Sequence, residues 1–153
     1  MAKEIERKFL VNPSKIPSEG ISDELMQGYL SITESGLTRI RVTNKQGFLT
    51  IKSKTTGISR DEYEYEIPFE DANRLISLSQ GEVIHKTRKK INYDGKIWEI
   101  DEFHGKNKGL WLAEIELTDP DESFSKPEWI LDEVSNDEKY FNSSLSVKPF
   151  CTW

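Results

Sequence analysis

Polar and apolar residues alternate from the start of the chain: Glu4, Glu6 and Lys8 fall on one side of an extended segment and Ile5, Arg7 and Phe9 on the other. Asn12-Pro13 ends that segment, and a second strand is expected from about Leu25 to Ile32 before the turn at Glu34-Ser35-Gly36. Arg39 to Thr43 and Phe48 to Lys54 read as a hairpin, followed by a strand over Asp61 to Ile67 that stops at Pro68. Ala72, Leu75 and Ile76 recur at helical spacing, so a helix is expected over Glu70 to Ser79, ending at Gly81. Val83 to Asn92 and Lys96 to Phe103 form a second hairpin around Tyr93-Asp94-Gly95, whose turn suits positive φ. Leu110 to Leu117 is the last strand expected. After Asp119-Pro120 the pattern turns helical, with Ser135 or Asn136 as the cap of a segment running through Tyr140, Phe141 and Leu145.

About eight strands that adjoin through turns imply antiparallel pairing, and a sheet of that size closes into a barrel. The predicted class is mainly β with flanking helices, in one domain over residues 1–153.

The polar positions are unusual in sign. Residues two apart on a strand share a face, and here they share a charge: Glu4 with Glu6, Arg39 with Arg41, Lys52 with Lys54, and Glu62 with Glu64 and Glu66. The pattern recurs at Lys86, Arg88 and Lys90, at Glu99 and Asp101, and at Glu114 and Glu116. A solvated face ordinarily mixes signs, because one-sign rows repel unless something compensates them. Ile5, Phe9, Ile40, Val42, Leu49, Ile51, Tyr63, Tyr65, Ile97 and Ile115 occupy the opposite faces. They are expected to pack outward against helices, leaving charge inside the barrel. Carboxylates and basic groups in one enclosure suit a polyanion accompanied by a hard divalent cation.

Composition agrees. The chain is 35% hydrophobic and 31% charged, which places charge in more than the outer surface. A net charge of −6 with no basic arm argues against nucleic acid, although 21 basic residues suffice for a local cationic pocket. The lone Cys151 permits no internal disulfide, and no apolar stretch has the length of a membrane span or a signal sequence. A cytoplasmic location without membrane partners is expected, and the Asn142-Ser143-Ser144 sequon is read as chance. Glycine-rich phosphate loops and zinc spacings are absent from the sequence, and His85 and His104 are expected to be surface or turn residues rather than ligands.

The opening Glu4-Ile5-Glu6-Arg7-Lys8 is followed in order by Gln27-Gly28-Tyr29-Leu30, Arg39-x-Arg41, Thr50-Ile51-Lys52, Glu62-x-Glu64, Lys86-Thr87-Arg88, Asp101 and Glu114-Ile115-Glu116. In this series the chain resembles, over nearly its whole length, the CYTH family of triphosphate tunnel metalloenzymes. That family includes class IV adenylyl cyclases, thiamine triphosphatases and inorganic triphosphatases. The resemblance implies an eight-stranded antiparallel tunnel with a C-terminal plug helix. It implies Mg²⁺ or Mn²⁺ on Glu4, Glu6, Glu114 and Glu116, with Asp101 as a companion, and phosphate on Lys8, Arg39, Arg41, Lys52, Lys86 and Arg88. Lys139, beside Tyr140, is expected to reach the phosphates from the plug; Lys54, Glu62, Glu64 and Glu99 complete the expected lining.

On this reading the enzyme hydrolyses the end of a small triphosphate, inorganic tripolyphosphate first. Carboxylates hold the metal while basic groups neutralise the transferring phosphoryl group. Two devices remain open for activating water: a second metal on the spare carboxylates, or a deprotonated Lys52 assisted by Tyr29, since a lysine among cations has a lowered pKa. An adenylyl cyclase, a thiamine or nucleoside triphosphatase, and a noncatalytic polyphosphate-binding module are the alternatives. The resemblance also leaves a homodimer open.

Overall fold

The computed structural model describes residues 3–153. Strands β1 (Lys3–Val11), β2 (Ile21–Thr33), β3 (Gly36–Val42), β4 (Gly47–Ser53) and β5 (Ser59–Ile67) precede helix α1 (Phe69–Leu75), which continues as a 3-10 turn over Ile76–Leu78. Strands β6 (Gln80–Tyr93), β7 (Lys96–Phe103), β8 (Trp111–Glu116) and β9 (Ile130–Glu133) follow, and then helix α2 (Asn142–Val147). The sheet order is β5-β4-β3-β2-β6-β7-β8-β1-β9, all antiparallel, and β1 also pairs with β5. That pairing, Lys3 with Asp61 through Ile5 with Ser59, closes strands β1 to β8 into the expected barrel.

One edge of β1 is shared. Its first residues close the barrel on β5, while Phe9 and Val11 pair with Glu133 and Ile130 of β9. Strand β9 and the segment before it are where the helical expectation fails: between β8 and β9 the chain is irregular, and Phe124 and Trp129 reach the core from it. The C-terminal helix is also shorter than expected. Ser135 and Asn136 do not cap it; Asp137 caps a 3-10 turn over Glu138–Tyr140, and α2 begins only at Asn142. Apolar residues in that region serve two packing sites instead of one helical stripe, so their spacing mimics a helix without forming one.

The barrel has apolar packing on its outside. Trp98 meets Phe9, Phe124 and Trp129 edge-on, with ring centroids 5.6–5.7 Å apart, beneath the irregular segment. A second cluster of Ile40, Val42 and Ala72 seats α1 on β3 and β4. The outer face is only partly covered, since Ile51, Tyr63, Tyr65 and Ile97 stay exposed. Inside, one end of the barrel is apolar: Tyr29, Ile84, Phe103, Leu110 and Leu112 pack against Leu145 of α2. That contact is how α2 plugs the tunnel.

Two glycines are required for different reasons. Gly95, at φ 78° beside Asp94 at φ 51°, supplies the positive-φ turn of the β6–β7 hairpin, and open space surrounds it. Gly81, at φ 70°, lies under the plug, where an added Cβ would stand 2.4 Å from the Ser146 carbonyl oxygen. Gly81→Ala is therefore expected to lose about 1–3 kcal/mol from backbone strain alone, with a further loss from displacing α2. Gly95→Ala is expected to lose the strain only. Urea denaturation of both variants checks this, and equal losses would contradict the clash.

Candidate functional site

The inward positions of the strands line a cavity of about 380 Å³. Strand order sorts their charges. Around the barrel, β4, β3, β2 and β6 contribute Lys52, Arg39 and Arg41, Gln27, then Lys86 and Arg88, making a basic arc. The next strands, β7, β8, β1 and β5, contribute Glu99, Glu114 and Glu116, Glu4 and Glu6, then Glu62 and Glu64, making an acidic arc. Lys8 is a cation within the acidic arc, 3.9 Å from Glu114.

In the basic arc each cation is held by a neighbour. Arg88 makes a two-pronged contact with Asp101, 2.7 and 2.9 Å, and Lys86 lies 2.8 Å from the same carboxylate. Lys86 also donates to Asn142 of α2 at 2.9 Å, and Gln27 accepts from Arg41 at 3.0 and 3.1 Å. Arg39 donates to Thr50 at 3.2 Å, while its Nε is buried without a hydrogen-bond partner. Burial, with Arg88 and Arg41 alongside, lowers Lys86 to about 7 despite the opposing pull of Asp101. Arg41 is lowered to about 10 by burial and by Arg39 and Arg88. An anion would relieve that crowding and occupy the orphaned Arg39 Nε.

The acidic arc is strained in the opposite sense. Glu6 stands directly across from Glu116 in the β1–β8 ladder, and Glu99 across from Glu114 in the β7–β8 ladder. Like charges at opposed positions repel. Burial, then the carboxylates of Glu114 and Glu4, push Glu6 well above the ordinary range; burial, with Glu4, Glu62 and Glu99, pushes Glu116 up. Glu4 differs: burial opposes its ionisation, but Lys52 at 3.2 Å and Arg60 at 3.1 Å outweigh it and hold its carboxyl at about 2. Among the described residues Glu6 and Glu116 form no ion pair. Carboxylates without counter-ions, next to Glu114, fit a hard dication with oxygen ligands.

Most expected site residues line this cavity, and several differ in detail. Lys54 lies beyond the end of β4 and is exposed, because the strand stops at Ser53 and the alternation stops with it. Lys139 is also exposed and outside the lining; its ammonium sits over the rings of Tyr140 and Trp153, 5.2 and 4.7 Å from their centroids. Asp101 is fully buried behind Arg88 and Lys86 rather than facing the cavity, so it serves as their counter-ion. Lys52 stands between two carboxylates, Glu4 and Glu62, each 3.2 Å away, and the lysine among cations is Lys86. Tyr29 is buried in the apolar end with its hydroxyl accepting from Gln27 at 3.2 Å.

Among the lining residues that the sequence reading does not single out, Arg60, Asn142 and Phe141 stand closest to the charged groups' chemistry or to the plug. Arg60 shares the inward parity of Glu62 but breaks the one-sign row, so a search for like charges passes over it. Asn142, read from the sequence as part of a chance sequon, opens α2, and Phe141, the residue that caps that helix, reaches the cavity beside it.

Comparison with known proteins agrees with this architecture. The CYTH domain model matches residues 2–148. The inorganic triphosphatase of Acetivibrio thermocellus is 46% identical over 151 residues, covering 98% of this chain and 97% of that protein. The inorganic triphosphatase of Nitrosomonas europaea is 36% identical over 149 residues, covering 94% and 97%. Superposed on the crystal structure of the inorganic triphosphatase NE1496, the chain gives a TM-score of 0.69 at 35% identity, with 96% of each chain covered. The strand order, the charged interior and the near end-to-end match lead to one conclusion: the chain belongs to the CYTH domain family.

Proposed function

We propose that this protein is an inorganic triphosphatase, hydrolysing the terminal phosphoanhydride of tripolyphosphate with Mg²⁺ or Mn²⁺. The observation that carries the reading is the division of one enclosed cavity into a basic and an acidic arc. Relatives named inorganic triphosphatase, similar along nearly their whole length, support it. Glu6, Glu114 and Glu116 would hold the ion, which would supply charge neutralisation for the phosphate.

The chain's own residues do the rest. Arg39, Arg41, Lys86 and Arg88 take the phosphate oxygens and neutralise charge that spreads over them as the phosphoryl group transfers. Asp101 and Gln27 hold those cations in place, which saves reorganisation at the moment of reaction. Lys52 sits where the arcs meet and anchors Glu4 and Glu62 there, a position from which its ammonium serves both the acidic groups and the terminal phosphoryl. Water is the attacking group. The apolar end sealed by Leu145 keeps bulk solvent from the phosphates on that side.

A substrate panel tests the function. Tripolyphosphate, thiamine triphosphate, ATP and pyrophosphate are incubated with the protein and Mg²⁺ or Mn²⁺; fastest phosphate release from tripolyphosphate, abolished by EDTA, is expected. Cyclic AMP from ATP would transfer the chain to the cyclase reading, and tight binding without turnover would make it a binding module. Arg39→Ala is expected to lower kcat/KM for tripolyphosphate roughly a hundredfold, as does loss of a donor that stabilises developing charge. Glu6→Gln is expected to raise the stability of the metal-free protein by up to about 1 kcal/mol, because it removes a buried carboxyl crowded by Glu114 and Glu4, while turnover falls. Thermal melts and phosphate-release assays on that variant read both effects.

A further inference from the structure

The outer wall carries a cluster that the tunnel chemistry leaves unused. Glu24 on β2, His85 and Thr87 on β6, and His104 just past β7 have the parity opposite to the inward Asp23, Lys86 and Arg88, so they gather on the outside of the barrel. His85 Nε2 lies 2.8 Å from Glu24 Oε2. Thr87 donates its hydroxyl to Glu24 Oε1 at 2.8 Å and lies 2.7 Å from His104 Nε2. The two imidazole centroids are 4.8 Å apart.

The backbone fixes this grouping. Glu24 is the register partner of Thr87, with His85 diagonal to it, and the His104 N–H donates to the His85 carbonyl at 3.0 Å. A carboxylate oxygen of Glu24 and one ring nitrogen from each histidine all lie within 4.8 Å of one another. Ligands 2.0–2.1 Å from a tetrahedral ion stand roughly 3.3 Å apart, so small side-chain rotations suffice to seat one. The side chains of His85 and Glu24 are 44% and 52% exposed, leaving the approach open. The expectation from the sequence is of surface or turn residues rather than ligands; the structure places both on the outer wall, His104 half-buried, and brings them together.

We propose that Glu24, His85 and His104 form a second cation site, for a borderline first-row dication such as Zn²⁺ or Ni²⁺, on the outer wall of the barrel. Two imidazoles and one carboxylate match the preference of those ions, whereas the all-oxygen cavity suits Mg²⁺ or Mn²⁺. The site clasps β2, β6 and the end of β7 together, and water completes the coordination. Because Lys86 follows His85 and Asp23 precedes Glu24 in the chain, a bound ion fastens the strands that present cavity residues on their other face.

The test uses the full chain stripped of metal by a chelator. Zn²⁺ is titrated against a chromophoric chelator in excess Mg²⁺, and Co²⁺ loading is followed by visible absorption. One tightly held Zn²⁺ per chain is expected, with the intense Co²⁺ spectrum of a four-coordinate ion. His85→Ala and His104→Ala are each expected to abolish both signals while leaving the far-UV circular dichroism and melting of the metal-free protein unchanged. Thr87→Val, which removes the hydroxyl orienting Glu24 and His104, is expected to weaken binding roughly tenfold. Zn²⁺ retained by the histidine variants but lost from Glu6→Gln would place the ion in the cavity and overturn the proposal, as would failure to bind Zn²⁺ in the unaltered chain. Since the readout is binding, it is independent of whether tripolyphosphate is the substrate.

Discussion

Each strand offers two faces, and in this barrel the enclosed one goes largely to charge. Everything else in the architecture follows from that constraint. A closed barrel ordinarily buries its apolar side chains within; here much of the inside holds glutamates, arginines and lysines, so apart from the end sealed by α2 hydrophobic stabilisation must be found on the outer wall. The irregular segment before β9 and helix α1 exist in that sense to cover it. One brings Phe124 and Trp129 onto Trp98 and Phe9; the other brings Ala72, Leu75 and Ile76 onto β3 and β4.

Enclosed charge also has to be balanced locally, because burial magnifies both repulsion and attraction. The basic arc is balanced from within: Asp101 sits behind Arg88 and Lys86 and is satisfied by both. The acidic arc is balanced only in part: Lys52 and Arg60 reach Glu4, Lys52 also Glu62, Lys8 reaches Glu114 from within, and Arg39 and Arg88 reach across to Glu64 and Glu99. Its centre, Glu6 facing Glu116, is left as a cluster of carboxyl groups that resist ionisation without a cation. An arrangement that costs stability when empty and is relieved by a cation is the kind of conflict with foldability that marks a functional site.

Much of this was legible in the sequence because parity is a local property. Residues two apart share a face whatever the fold, so the one-sign rows at Arg39 and Arg41, Lys86 and Arg88, and Glu114 and Glu116 announced both the strands and the inward side. Where parity ended, legibility ended. Lys54 followed Lys52 by the same step but fell past the end of β4, and the Phe124 to Leu145 region has no regular period because its apolar residues point to separate packing sites.

The sequence by itself determined the strands, the closed antiparallel class and the charged inner face, since these depend on spacing along a single segment. Only the tertiary structure decided which rows stand side by side. In chain order acidic and basic rows are interleaved; in sheet order β4-β3-β2-β6 bring the cations together and β7-β8-β1-β5 the carboxylates, a sorting made by strand pairing over long separations. The same long-range pairing hides Asp101 behind its two cations, turns Lys139 away toward Trp153, and sets Glu24 beside two histidines distant in the chain. Adjacency across a sheet is fixed by register between segments, and no single segment carries that information.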